Sequence, residues 1–371
     1  VTPLGEEIAL LIRQTGPIGI DRYMSLCLGH PVHGYYRTRD PLGRRGDFTT
    51  APEISQMFGE LIGLWAASVL GRIDPAGRPL LVELGPGRGT LMADALRAIG
   101  AAAPGAAFDL HLVETSPPLR AAQAATLAGR GPEGRGPAGL GPPGRGPTWH
   151  DGLDAVPDGP AIVIANEFFD CLPVRQFART GRGWCERLVG LSPEGTLRFG
   201  LAPDPEPGIA AEAPEGALLT LPSAALEVVR ALAARLVRSG GALLLIDYGH
   251  AGPGFGDTLQ ALARHRFADP LAAPGEADLT AHVDFAALAL AARGAGARVH
   301  GPVEQRDFLL ALGLTARAER LKRGASPAQA AAIDAAVSRL TDPAATGMGR
   351  LFKVMAVSAP DLGPLPGLPE P

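Results

Sequence analysis

The chain alternates short, uninterrupted apolar runs with segments whose apolar positions recur every three or four residues. Continuous runs stand at LLVEL (80–84), FDLHLVE (108–114), AIVIAN (161–166) and GALLLIDY (241–248). Strands that are apolar at every position suit a parallel sheet covered on both faces, because neither face meets water. Helical patterns lie between them, so the order predicts an α/β, doubly wound, Rossmann-like sheet. Ahead of the first strand, residues 4–14 and 17–28 read as two short helices, followed by the loop HPVHGYYRTRDPLGRRGDFTTAPE. Residues 174–202 alternate apolar and polar positions around glycine-containing turns, which predicts a small antiparallel meander. GRLFKVMAVSAP near the end reads as one last strand.

These patterns predict a helical extension and loop over 1–60 and a cofactor-binding α/β domain over 61–173 and 241–371. An inserted β-meander and helical subdomain over 174–240 is expected to cover the C-terminal ends of the strands. GRGPEGRGPAGLGPPGRGP (129–147) is too poor in apolar groups to pack and lacks a strict triplet repeat, so it reads as a flexible surface insertion.

Composition narrows the classes. With 371 residues, 46% of them hydrophobic, the chain can bury a large core. A net charge of -4 gives no general basis for nucleic-acid binding. The one basic cluster, Arg37, Arg39, Arg44 and Arg45, reads as a solvated loop. Cys27, Cys171 and Cys185 form no CxxC pair, so neither a disulfide framework nor a zinc site is expected, and a reducing cytosol or matrix fits best. The start, VTPLGEEIALLIRQTG, carries acids and a helical pattern instead of a basic, apolar leader, and no run of 18 apolar residues occurs. A cytoplasmic protein without membrane insertion is expected, a cleaved transit peptide leaving no trace.

The glycine turn in LVELGPGRGTLMADALRAI selects among cofactors. A dinucleotide turn wants G-x-G-x-x-G, but Gly85, Gly87 and Gly89 are spaced G-x-G-x-G, with Thr90 where the third glycine would fall. No lysine is present to meet the phosphates of a triphosphate. Glu83, two residues before the first glycine, would repel a pyrophosphate and welcome an ammonium or sulfonium; S-adenosylmethionine carries both. Glu114, ending HLVE, is placed to take two ribose hydroxyls at the tip of the next strand.

With ANEFFDCLPVRQF (165–177) the chain resembles the MidA-like methyltransferases. The matching stretches include GYYRTRDPLGRRGDFTTAPEISQMFGE (34–60), VELGPGRGTLMAD (82–94), LVETSPPLRAAQ (112–123), LLIDYG (244–249), DTLQALARHRFADPLAAPGEADLTAHVDF (257–285) and MGRLFKVM (348–355). The Gly/Pro insertion matches nothing in the pattern. The resemblance implies a class I S-adenosylmethionine fold, a seven-stranded sheet ending in an antiparallel hairpin. It also implies cofactor contacts from Gly85, Gly87 and Glu114, and from the GDF segment through Asp47 and Thr50, which makes the end of the 1–60 segment an active-site loop. The family's mitochondrial members are arginine methyltransferases acting in assembly of respiratory complex I, so a protein substrate, a subunit of that complex, is implied.

An arginine nucleophile stays charged, with a pKa above about 12, and needs carboxylates to orient it. Asn166, Glu167 and Asp170 fall where the fourth strand ends, the edge at which doubly wound sheets bind ligands. Glu167 is expected to grip the guanidinium, with Asn166 holding the cofactor's methionine end or the incoming nitrogen. Asp170 either assists or caps a helix begun by FFDCLP. Asp247, ending the fifth strand, is a further candidate. Glu53, Asp257, His265 and Asp278 read individually as structural. Asp247 and His265 make no hydrolase triad, since no G-x-S-x-G elbow occurs. Methyl transfer requires no metal, and His30 and His33 lack an HExxH helix or nearby acids. Two other readings stand beside the arginine methyltransferase: a small-molecule methyltransferase, and a non-catalytic S-adenosylmethionine-binding assembly factor. The long covering segments favour a large substrate.

Overall fold

The uninterrupted apolar runs become neighbouring strands of one sheet in the computed structural model, which describes residues 2–38, 50–74, 77–128, 146–252 and 254–369. Asp47, Arg39, Arg44, Arg45 and residues 129–145 of the Gly/Pro-rich segment lie outside the described residues. Seven strands lie along the path of this sheet: β1 (Leu80–Leu84), β2 (Asp109–Val113), β3 (Thr148–His150), β4 (Ala161–Asn166), β5 (Gly241–His250), β6 (Arg298–Glu304) and β7 (Phe352–Ser358). Their order is β3-β2-β1-β4-β5-β7-β6. Strands β1 to β5 run parallel to one another. The last strand, β7, is antiparallel to both β5 and β6.

Every residue of β1 and β4 is buried, the condition that a sheet covered on both faces imposes. On one face, Leu81, Ile162, Ile164 and Leu244 share a core with the helices Gln56–Ile73 and Thr90–Ala102. These two helices cross where side chains are smallest. A Cβ on Gly63 would lie 2.5 Å from the Ala95 carbonyl oxygen, so the backbones meet with no room for a larger residue. Glu60, on the same helix, is bound by Arg97 at 2.9 Å and by Arg317 at 2.7 Å, and these guanidiniums lower its pKa against the opposing effect of burial.

Among the described residues the chain divides into two compact units. The sheet belongs to one, drawn from Thr49–Phe168, Val229–Ala251 and Phe285–Pro371; the other draws on Val1–Phe48, Phe169–Val228 and Gly252–Asp284. This grouping differs from the expected boundaries: 252–284 joins the N-terminal extension and the meander, while 50–60 and 229–240 fall with the sheet. The reason is a common core. Leu4, Ile8, Ile12, Tyr23 and Met24, from the helices Pro3–Thr15 and Ile20–Gly29, pack with Val174 and Val189 of the meander and with Leu259 and Leu279. The meander runs through Arg175–Thr180, Gly183–Leu191 and Leu197–Pro205, paired antiparallel. Leu259–Ala263, Arg266–Ala268 and Asp278–Ala281 form a separate three-stranded sheet.

Candidate active site

The turn after β1 is built from backbone that only glycine adopts without strain. Gly85 and Gly87 have φ of 59° and 56°, and Gly89, at 81°, precedes the first turn of the helix Thr90–Ala102. The Gly85 N–H donates to the Val113 carbonyl at 3.0 Å, tying the turn to the end of β2. A Cβ at Gly85 would approach the Phe168 ring to 3.1 Å.

Glu83 lies beneath this turn, 3% exposed, in a strand where every neighbour is apolar. Burial pushes its carboxyl up to about 8, and Oε2 has no hydrogen-bond partner among the described residues. Glu83 stands opposite Ile164 on β4. Asn166 is two residues further along that strand and therefore on the same face of the sheet. Its Oδ1 is likewise buried without a partner among the described residues. Buried acceptors are normally satisfied, so two orphans one row apart at a strand edge call for a donor-rich group. An ammonium fits this pair of acceptors, and so the residues present fit S-adenosylmethionine.

Glu167 takes a left-handed conformation, φ 51°, which a residue with a Cβ rarely adopts outside sites that hold it there. Its N–H donates to the Ile246 carbonyl at 2.9 Å, extending the sheet ladder by one bond before the chain turns. Oε1 accepts from Asn166 Nδ2 and from the Ala51 N–H, both at 3.2 Å. Thr50 is the extended residue before the short helix Ala51–Ile54, so it stands next to the Glu167 carboxylate. Glu53 of the same helix accepts from the Thr90 hydroxyl at 2.6 Å. The segment 50–54 is thereby fastened both to the end of β4 and to the helix that follows the glycine turn.

Glu114 is 8% exposed at the end of β2. Its Oε1 accepts from the Ser116 N–H at 2.8 Å and Oε2 from Gln123 Nε2 at 3.2 Å. Burial raises its pKa, and these donors pull in the opposite direction.

Two expected catalytic carboxylates have other surroundings. Asp247 is fully buried, and its oxygens accept from the backbone N–H groups of Phe168 at 3.2 Å and Tyr248 at 2.9 Å, so it holds the Glu167–Phe168 turn from within the fold. Asp170 belongs to the unit that carries the meander. No helix begins there, because FFDCLP closes a turn with the Leu172 N–H on the Phe169 carbonyl at 3.2 Å. Asp170 Oδ1 instead accepts from the Cys171 thiol at 3.2 Å. The His30 and His33 rings are stacked and do meet an acid: their Nε2 atoms lie 3.3 and 3.4 Å from Glu7, a neighbour that spacing along the chain did not reveal. No group of three or more His, Cys, Asp or Glu among the described residues is arranged to hold a metal ion.

Gln123 is not among the residues expected from the sequence, although the helix pattern marks it. The buried positions of the helix Pro117–Leu127 are Leu119, Gln123 and Leu127, an apolar stripe interrupted by one amide.

The strand order with β7 reversed between β5 and β6, and the glycine turn after β1, define the Rossmann-like class I fold of S-adenosylmethionine-dependent methyltransferases. Residues 61–303 match a family described as "putative S-adenosyl-L-methionine-dependent methyltransferase". The chain belongs to that family and is an S-adenosylmethionine-dependent methyltransferase. It is 41% identical to the mitochondrial protein arginine methyltransferase NDUFAF7 of Mus musculus, over 85% of this chain and 76% of that protein. The Drosophila melanogaster homologue is 39% identical over 95% of this chain and 84% of its own length. A crystal structure from Burkholderia thailandensis, bound to S-adenosyl-homocysteine, superposes with a TM-score of 0.81 at 31% identity, covering 98% of this chain and 93% of that one.

Proposed function

We propose that this protein is an arginine N-methyltransferase acting on a protein, a subunit of respiratory complex I (NADH:ubiquinone oxidoreductase) during its assembly. The relatives' names supply the arginine and the mitochondrial setting, and the MidA-like resemblance supplies the complex. The observation that carries the chemistry is the strained Glu167 carboxylate beside the orphaned Asn166 Oδ1 at the end of β4. In a eukaryotic host the setting is the mitochondrial matrix, in a bacterial one the cytoplasm. No helix among the described residues is long and apolar enough to cross a membrane.

In this reading Glu83, Gly85, Gly87, Gly89 and Glu114, with Asp47 and Thr50, hold S-adenosylmethionine. When bound, it supplies an electrophilic methyl group on a sulfonium. The protein's contribution is alignment and exclusion of water, worth about 7–11 kcal/mol when the geometry is favourable. Glu167 grips the substrate guanidinium through charge-assisted hydrogen bonds and localises its charge away from the attacking nitrogen. Asn166 Oδ1 accepts an N–H from the cofactor's ammonium or from the incoming nitrogen. Asp170 is assigned a supporting role toward the substrate, and Asp247 keeps the Glu167 turn in place.

The test is transfer of labelled methyl from S-adenosylmethionine to isolated complex I subunits, with the modified residue located by mass spectrometry. Label on an arginine is the expected result. Cofactor binding with no label on protein would overturn the reading in favour of a non-catalytic assembly factor, and label on a small molecule would overturn it in favour of that class.

The buried Glu83 makes cofactor affinity depend on pH. Its carboxyl sits at about 8, so at pH 6 it is protonated in the cofactor-free protein. An ammonium prefers the ionised form, so binding releases the Glu83 proton and affinity rises with pH by up to about tenfold per unit below 8. Above about 8 the cofactor's own α-amino group, whose ordinary pKa is about 7.7–8.0, loses its proton and affinity falls again. Calorimetry between pH 6 and 9 checks this, and Glu83→Gln is expected to remove the rise below pH 8.

A further inference from the structure

Gln123 is fully buried and ties together the parts of the cofactor reading. Its Nε2 donates to the Gly87 carbonyl at 2.8 Å and to Glu114 Oε2 at 3.2 Å. Its Oε1 accepts from the Trp149 indole N–H at 2.7 Å. An indole can only donate, so Trp149 decides which end of the amide is the oxygen and commits both Nε2 protons to the turn and the acid. Glu114 Oε1 is meanwhile held by the Ser116 N–H, leaving the carboxylate one orientation. A single side chain thus sets the left-handed peptide at Gly87 and the direction of the acid at the end of β2.

We infer that Gln123 is a positioning residue for S-adenosylmethionine, locking the glycine turn and the Glu114 carboxylate into one binding-ready geometry, with Trp149 as the group that orients it. The inference rests on the assignment of Gly87 and Glu114 to the cofactor. No methyl chemistry passes through Gln123, so its effect belongs to cofactor affinity and not to the transfer step.

Gln123→Glu keeps the size of the side chain and replaces the Nε2 donor by an oxygen facing Glu114 and the Gly87 carbonyl. At pH 8 the two carboxylates repel, and at lower pH one proton shared between them restores a donor. The expected result, by calorimetry with S-adenosyl-homocysteine, is a Kd at least about tenfold above wild type at pH 8. That ratio is expected to shrink to about threefold or less at pH 6, and kcat at saturating S-adenosylmethionine stays within about threefold. Trp149→Phe, which frees the amide to rotate, is expected to raise Kd about threefold and carries the test if Gln123→Glu does not fold. Glu114→Ala is measured alongside. Weak binding by Glu114→Ala with wild-type binding by Gln123→Glu overturns the role of Gln123 alone. A Gln123→Glu deficit equal at both pH values also overturns it, because a merely structural defect would not respond to that proton. Wild-type binding by Glu114→Ala overturns the cofactor assignment and this inference together.

Discussion

Gly87→Val is expected to abolish S-adenosylmethionine binding, raising Kd by about 100-fold or more, while the protein stays folded. At φ 56° a β-branched side chain is a genuine outlier, and holding it there costs about 1–3 kcal/mol before any ligand is considered. The peptide relieves that strain by leaving the left-handed region, which turns the Gly87 carbonyl away from Gln123 Nε2. The loss then spreads through Gln123 to Glu114, so one backbone change disturbs two of the proposed cofactor contacts. The core on either side of β1 does not depend on the turn, and circular dichroism should remain that of the wild type. Gly87→Ala, strained but unbranched, should show a smaller loss of about tenfold. Wild-type affinity in Gly87→Val, read by calorimetry, would remove the turn from the binding site.

The sheet was legible because its strands are buried on both faces. LLVEL, AIVIAN and GALLLIDY carry almost no polar interruption, and each forms a strand within two residues of the expected limits. The polar exceptions in those runs were the informative ones. Glu83 stands where burial demands an apolar residue, and it proves to be a carboxyl whose Oε2 has no partner among the described residues. Strands with weaker patterns carry no such sign: Arg298–Glu304 contains Gly301 and Pro302, which break alternation, and Thr148–His150 is only three residues long.

The site was legible in its residue types more than in their grouping. That Glu167 would be the residue in a left-handed conformation had no sign, since such backbone usually selects glycine. Its tie to Ala51 joins positions 116 apart in the chain, and no local pattern encodes that. Asp170 is expected beside Glu167 because both follow the end of the fourth strand. The turn at Phe169–Leu172 carries the chain into the second unit, whose core the N-terminal helices complete. Amphipathic helices with apolar positions at Leu4, Ile8 and Ile12 require a partner surface, but their spacing does not say which one.

Glu167→Gln is expected to bind S-adenosylmethionine within about twofold of wild type and to lose about 100-fold or more of its rate of arginine methylation. The amide fills the same space and still offers an oxygen to the Ala51 N–H and to Asn166 Nδ2, so the turn is kept. What disappears is the charge proposed to face the guanidinium, and charge-assisted hydrogen bonds are about twice as strong as neutral ones. A 100-fold loss corresponds to about 2.7 kcal/mol at the transition state, within reach of one such contact. Because the contact matters most as the methyl group moves, the loss should fall on the single-turnover rate and leave cofactor KM nearly unchanged. Asp170→Asn, measured in the same labelled-methyl assay, separates the two acids. Its carboxylate already accepts from the Cys171 thiol and its backbone carbonyl from the Ala281 N–H, so a change of at most about tenfold is expected. Full activity in Glu167→Gln with none in Asp170→Asn would reverse the two roles. Full activity in both would move the guanidinium site away from the end of β4, leaving Glu167 to fasten the segment 50–54 to the sheet.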